Sequence, residues 1–428
     1  MKISRCERMI DYPMLRYTKE VLHTTKMIVL IISICTASML FTGCVVNDLP
    51  GPVGSEFVTD TLLLTSLSSE TSPLITSTLN GRAHIPIGNG NFFIGRTTDL
   101  EMFSFVRFTM PIDSFPDIQE RDIISCTLTM APVLYGYGNI QTGRLAFRAV
   151  QVLQPWNRFA TQDTLAQLQQ QGQIYGTRSL LSYNGVGILQ SSQAVIQLPF
   201  DRTLATQWLA MTDSAQKAQQ YGLAFFADPS SSVISSFFGN INEEGTTPPI
   251  IEIRFRRPAD TIDRLRRLVG FQQASFSRPL QSFTQNGLVM QGASGLRSKI
   301  FFDVSRIPPL AIVHRADIFL TPDSLRSNTG TEKIPVSIVA RVAADTSFIG
   351  SNFFSDRQVI ARDEITGRYT ANITQLIQRW SFGRTNNGLI LSLNDIDENS
   401  QATRLVLFDR TADSTRRPLL RLLYSRIK

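Results

Sequence analysis

Cysteine, histidine and lysine are the scarce residues of this 428-residue chain. Beyond residue 44 the only cysteine is Cys126 and the only histidines are His84 and His314; Cys6, Cys35 and Cys44 all come earlier. A single later thiol excludes an intramolecular disulfide there, and its place in Ser125-Cys126-Thr127-Leu128-Thr129-Met130 marks it as a buried strand residue. Lysine beyond residue 44 is confined to Lys217, Lys299, Lys333 and Lys428, so the positive charge is almost all arginine. That portion carries a net charge of only +4. It lacks the clustered basic face of a nucleic-acid binder, and no nucleic-acid partner is expected. Arginine forks do suit carboxylates and sulfates, which keeps an acidic glycan open as a ligand.

Catalytic signatures are also missing. There is no HExxH, GxSxG or P-loop pattern, so nothing points to metal, acyl or phosphoryl chemistry. Hydrolysis needs a nucleophile with its base, or two close carboxylates. The reading is therefore a protein that is not an enzyme. A polysaccharide-degrading enzyme built on distant carboxylates is the weakest alternative.

What is present begins with one long apolar run, Met27–Phe41, flanked by Lys26 and closed by Thr42-Gly43-Cys44. A positive flank, an apolar core and small residues at the cut are what a secretory signal requires. The stretch resembles a bacterial lipoprotein signal peptide with its lipobox, with Phe41 where leucine is usual. The resemblance implies cleavage before Cys44, lipidation of Cys44 by palmitate, and attachment of the protein to the lipid bilayer. It also implies an extracytoplasmic place on the outer membrane or cell surface. Residues 1–43 are then the signal peptide and 44–56 a tether rich in Pro and Gly. No charge lies between Met27 and Asp48, so a single uncleaved span is the alternative. Met1, Met14 and Met27 are all possible starts.

From Phe57 onward short Val-, Ile-, Thr- and Phe-rich runs alternate with Gly, Pro, Asn and Asp clusters. This texture, with few long amphipathic helical patterns, predicts an all-β fold. An internal repeat divides it. Val106, Phe108 and Met110 match Ile300, Phe302 and Val304; Cys126, Leu128 and Met130 match Ala316, Ile318 and Leu320. Leu204 and Trp208 match Leu376 and Trp380, and Tyr221-Gly222-Leu223 matches Asn387-Gly388-Leu389. Pro249 leads Ile251, Ile253 and Phe255 as Pro418 leads Leu420, Leu422 and Tyr424. Two tandem β-sandwich domains at 57–256 and 271–428 follow. Between them, 257–270 reads as a basic linker forming a short helix, because Ile262, Leu265 and Val269 make an apolar stripe.

Each copy resembles a DNRLRE-type domain of bacterial surface and secreted proteins. Copy one carries Gly95, Val106-Arg107-Phe108, Ser125-Cys126-Thr127-Leu128, Trp208, Tyr221-Gly222-Leu223 and Pro249. Copy two carries Phe301-Phe302-Asp303, Arg315-Ala316-Asp317, Trp380, Asn387-Gly388-Leu389 and Pro418. Thr109 stands where the family has Asp, and Asn387 where it has Tyr. The resemblance implies jelly-roll-like sandwiches with short helical insertions, similar to carbohydrate-binding modules, and brings no catalytic residues.

The candidate ligand-binding residues are Tyr135 and Tyr137, in Leu134-Tyr135-Gly136-Tyr137-Gly138, and Trp156. Exposed rings stack on sugar faces. Asp395, Asp397 and Asn399 gather oxygens like the start of a calcium loop, but the EF-hand glycine is missing and position 406 is Val. A structural calcium is thus the weak alternative to no cofactor. Polysaccharide is the expected partner, with an envelope protein as the alternative for a structural or assembly component.

Overall fold

The computed structural model describes residues 64–72, 74–88, 90–186, 195–239, 247–281, 287–345 and 353–426. Cys44 and the segments expected to be a signal peptide and a tether lie outside these residues. In chain order come strands β1 (Leu64–Ser68), β2 (Ile75–Arg82), β3 (Asn91–Arg96), β4 (Leu100–Phe108), β5 (Ile123–Met130), β6 (Pro132–Gly138) and β7 (Arg144–Gln151). Helix α1 (Gln162–Gln171), β8 (Leu181–Val186), β9 (Ile196–Pro199), α2 (Arg202–Ala210) and α3 (Ser214–Ala218) follow, then β10 (Leu223–Ala227), β11 (Val233–Phe238), β12 (Ile250–Phe255) and β13 (Arg264–Pro279). The second half has β14 (Leu288–Gln291), β15 (Leu296–Phe302), β16 (Ile312–Leu320), β17 (Ser337–Ala343), β18 (Phe353–Arg362) and β19 (Tyr369–Asn372). It closes with α4 (Thr374–Ser381), β20 (Leu389–Leu393), α5 (Asp395–Ser400), β21 (Arg404–Leu407) and β22 (Leu419–Ser425). The fold is all-β with short helical insertions.

The strands form two antiparallel sheets of 11, each curled around its own core. Period-two burial makes these surfaces. Cys126, Leu128 and Met130 point inward on β5 while Ser125, Thr127 and Thr129 do not. In the first body Leu128, Ile251 and Ile253 meet Val106, Phe108, Leu223 and Phe225. Helix α2 covers one end, N-capped by Asp201, whose carboxylate accepts from Leu204 N–H at 2.7 Å. It places Trp208 6.3 Å from Phe108, centroid to centroid. In the second body α4 does the same, with Trp380 5.8 Å from Phe302.

The repeated residues hold the same ladder positions in both bodies. Val106 lies opposite Leu223 and Ile300 opposite Leu389. Leu128 faces Ile251 as Ile318 faces Leu420, and Cys126 faces Ile253 as Ala316 faces Leu422. The repeated glycine has a steric cause. Gly222 and Gly388 have φ of +86° and +87°, and a Cβ would meet Val106 O at 2.0 Å in one case and Ile300 O at 2.6 Å in the other. Only glycine adopts that backbone this close to a neighbouring strand.

Two features differ from the sequence reading, and both concern the ends of the copies. Strands β1 and β2, read as the start of the first domain, complete the second body: β1 pairs with β22 and β2 with β15. The corresponding places in the first body, beside β12 and β4, are filled by β13. Each body is thus closed by the strand that leads into the other, and Leu62–Lys428 packs as one compact unit.

The second difference is the linker, where Arg264 begins a strand and not a helix. The stripe that predicted a helix stays largely outside: Ile262 is 71% exposed, Leu265 39%, and Leu268 is the residue that enters the core. Tertiary pairing overrides the helical spacing, because β12 and β4 both present open edges that β13 satisfies. A register shift between Gly270 and Gln272 bends it from one layer to the other. Its arginines are used locally. Arg267 pairs with Glu252 across the ladder at 3.0 Å, and Arg264 and Arg266 lie over the Phe115 ring at 5.7 and 5.3 Å.

Candidate functional site

The rings chosen from sequence are buried and offer no stacking surface. Tyr135 is 4% exposed, Tyr137 0% and Trp156 7%. The stretch that carries both tyrosines is strand β6, paired with β11, and its outer face meets the second body. Tyr137 donates to Asp99 Oδ2 at 2.8 Å, and Asp99 also pairs with Arg404 at 2.9 Å. Gln291 Nε2 reaches the Tyr137 hydroxyl at 3.3 Å. Burial pushes both tyrosine hydroxyls well above the usual phenol range, before any nearby charge acts. Trp156 lies under the α1 insertion, donating to Tyr221 O at 2.8 Å with its edge on Phe105. These residues hold the structure together.

Asp395, Asp397 and Asn399 stand on helix α5, where their oxygens face separate partners. Asp395 takes Arg341 at 2.8 Å and Arg357 at 3.5 Å. Burial opposes its charge, but the Arg341 hydrogen bond and the surrounding guanidinium groups hold its carboxyl below the usual range. Asp397 accepts from Asn394 at 2.6 Å, and Asn399 donates its amide to the Asp395 carbonyl at 2.8 Å. Among the described residues no cluster of three or more His, Cys, Asp or Glu is arranged around one point for a metal ion.

The histidines have local partners, and the thiol is buried without a disulfide. His84 contacts Asp163 at 2.6 Å on the surface, and His314 contacts Ser425 Oγ at 2.9 Å. Cys126 is buried in the first core, where desolvation, aided by Asp201, pushes its thiol up to about 12. A thiol so disposed is no nucleophile at neutral pH.

A surface cleft of about 760 Å³ lies in the second body. Its construction starts with α4. Ile373, Leu376, Ile377 and Trp380 are buried along one face and fix the helix on the sheet. The helix ends at Gly383, whose φ of +85° reverses the chain. Phe382 N–H and Arg384 N–H bond back to the helix carbonyls of Gln378 and Arg379, both at 3.1 Å. This turn delivers Phe382, Arg384 and Thr385 to the rim. The opposite side is the end of β17, with Val342 and Ala344. Asn387 ties the two sides, its amide donating to Ala344 O at 2.7 Å. Asn386 fixes the same loop to Phe302 O at 2.6 Å.

The cleft is therefore lined by apolar Val342 and Trp380, with Phe382 at the rim beside the polar Arg379, Arg384, Thr385 and Asp345. Phe382 is 54% exposed. Among the described residues no acid pairs with Arg384. A second, more polar cleft of about 610 Å³ lies across Arg379 and includes Arg357, Gln358, Asn372 and Gln375. The larger cleft holds one carboxylate, Asp345, and no histidine or cysteine. It offers a bound molecule a ring face, guanidinium groups and the Thr385 hydroxyl.

Comparison with family models, with curated proteins and with solved structures finds no match.

Proposed function

We propose that this chain is a lipid-anchored bacterial envelope protein that binds an acidic carbohydrate without transforming it. In this reading Cys44 carries the lipid, and the two bodies are tandem jelly-roll-like domains similar to DNRLRE-type modules. The observation that carries the proposal is the cleft at the end of α4. An exposed phenyl ring beside the Arg384 guanidinium and the Thr385 hydroxyl suits a sugar that bears a carboxylate or sulfate. Tyr135, Tyr137 and Trp156 have no part in it, being buried.

The test uses the purified full chain and a panel of neutral, uronate-bearing and sulfated polysaccharides. Binding to the acidic members is expected, with salt sensitivity. Phe382→Ala with Arg384→Ala should weaken it about 10- to 100-fold, since a hydrogen bond to a charged group contributes about 1.5–3 kcal/mol. Equal affinity in the double variant would detach the cleft from the activity. Silence across the panel would favour an assembly component that binds an envelope protein, and release of sugar products would favour an enzyme. Anchoring is tested separately by incorporation of labelled palmitate: label is expected in the parent chain and absent from Cys44→Ala. Persistent label in that variant would place the lipid elsewhere.

A further inference from the structure

The closure of the second body by β1 and β2 has an unusual chemical character. Strand β13, filling the matching slot in the first body, buries Leu268, Ala274, Phe276 and several polar residues. Strand β1 buries none of its five residues, and β2 buries only Ile75. Their sequences, LTSLS and ITSTLNGR, are mainly hydroxyl and small residues. The backbone ladder, from Leu64 opposite Ser425 to Arg82 opposite Leu296, is joined by a few side-chain contacts: Leu67 packs on the second core, and Asn80 donates to Gly287 O at 2.9 Å and accepts from Val289 N–H at 3.0 Å. The identical strands of another molecule would make the identical bonds. The stretch between β2 and β3 contains Gly88, at φ +94°, a backbone conformation that favours glycine; its N–H is fastened to Asn399 O at 3.1 Å, a bond that exchange would have to release.

We propose that β1 and β2 form an exchangeable clasp, and that a second copy of this chain is the partner. In the exchanged dimer each chain lays β1 against β22 and β2 against β15 of the other. Exchange of an identical element is a low-cost route to dimers, because each ladder bond broken within one chain forms again between two. The occupant in the single chain is favoured by its tether, so the exchanged form gains ground as the local concentration approaches the effective concentration of that tether.

The experiment mixes two differently tagged full-length chains, one with Ser66→Cys and the other with Leu423→Cys, which face each other across the β1–β22 ladder. After gentle warming at high concentration and oxidation, a disulfide joining residue 66 of one tag to residue 423 of the other is expected, identified by mass spectrometry of the peptides. Its yield should rise several-fold over a tenfold increase in protein. Each single variant must retain the parent's near-ultraviolet circular dichroism. If one does not, Ser77→Cys with Phe301→Cys, facing across β2–β15, replaces the pair. The proposal is overturned if a chain carrying both cysteines closes the disulfide within itself while the mixed chains give no linked product at any concentration.

Discussion

Leu74→Ala with Ile75→Ala is expected to destabilise the second body severely and to leave the first folded. Leu74 is fully buried and Ile75 nearly so, and both contribute to the second core even though the first body's strands follow them directly in sequence. Each truncation in such a site costs about 2–5 kcal/mol. That is comparable with the whole stability of an ordinary domain, about 5–15 kcal/mol. The lesion also weakens the seating of β2 on β15, and with it the cover over an otherwise open strand edge. Limited proteolysis of the full chain should therefore cut within 288–425 while 91–279 resists. The complementary change, Leu268→Ala on β13, should reverse the pattern, since Leu268 belongs to the first core. If both variants open the same region, the crossed closure is wrong.

The closure also bears on how the molecule assembles. Leu64 pairs with Ser425, so this ladder joins the first and the last of the described strands. The entropy of closing so long a loop must be met before the pairing repays it. The first body can complete itself as soon as β13 emerges, whereas the second needs a segment made long before. During that interval β1 and β2 wait without their partners and can pair with any open strand edge, including one of a neighbouring molecule.

Local patterns in the sequence are enough to read the strand character and the repeat. Cys126, Leu128 and Met130 alternate cleanly because one face of β5 is core and the other is not, and their partners in the second copy do the same. The readings that fail are those in which a distant element decides. Tyr135 and Tyr137 look like exposed rings because the surface that buries them belongs to the other body. The stretch from Ile262 to Val269 has helical spacing, but two open strand edges compete for it and win. The allegiance of β1 and β2 is invisible for the same reason: strand partners are chosen in three dimensions. The cleft leaves a fainter mark. The helical stripe ends at Trp380 and Gly383 follows, a helix-stop signal that places Phe382 and Arg384 at a turn.

Glu398→Ala is the second change expected to act strongly, through a single ion pair. Arg297 on β15 meets Glu398 on α5 in a bidentate contact of 2.7 and 2.9 Å, with both side chains almost fully buried. Removing the carboxylate leaves a guanidinium in the interior, and breaking such a pair from one side costs about 3–5 kcal/mol. The effect should spread along α5. Its backbone receives Ala293 N–H at Glu398 O, 2.7 Å away, and Gly88 N–H at Asn399 O, 3.1 Å away. The second of these fastens the stretch between β2 and β3, so loosening α5 also loosens the clasp. Thermal unfolding should show a clear loss in Glu398→Ala. Pairing it with Arg297→Met should restore part of that loss, because an apolar replacement of both partners removes the stranded charge. A double variant no better than Glu398→Ala alone would mean that the cost lies in the packing of α5 and not in the charge left behind.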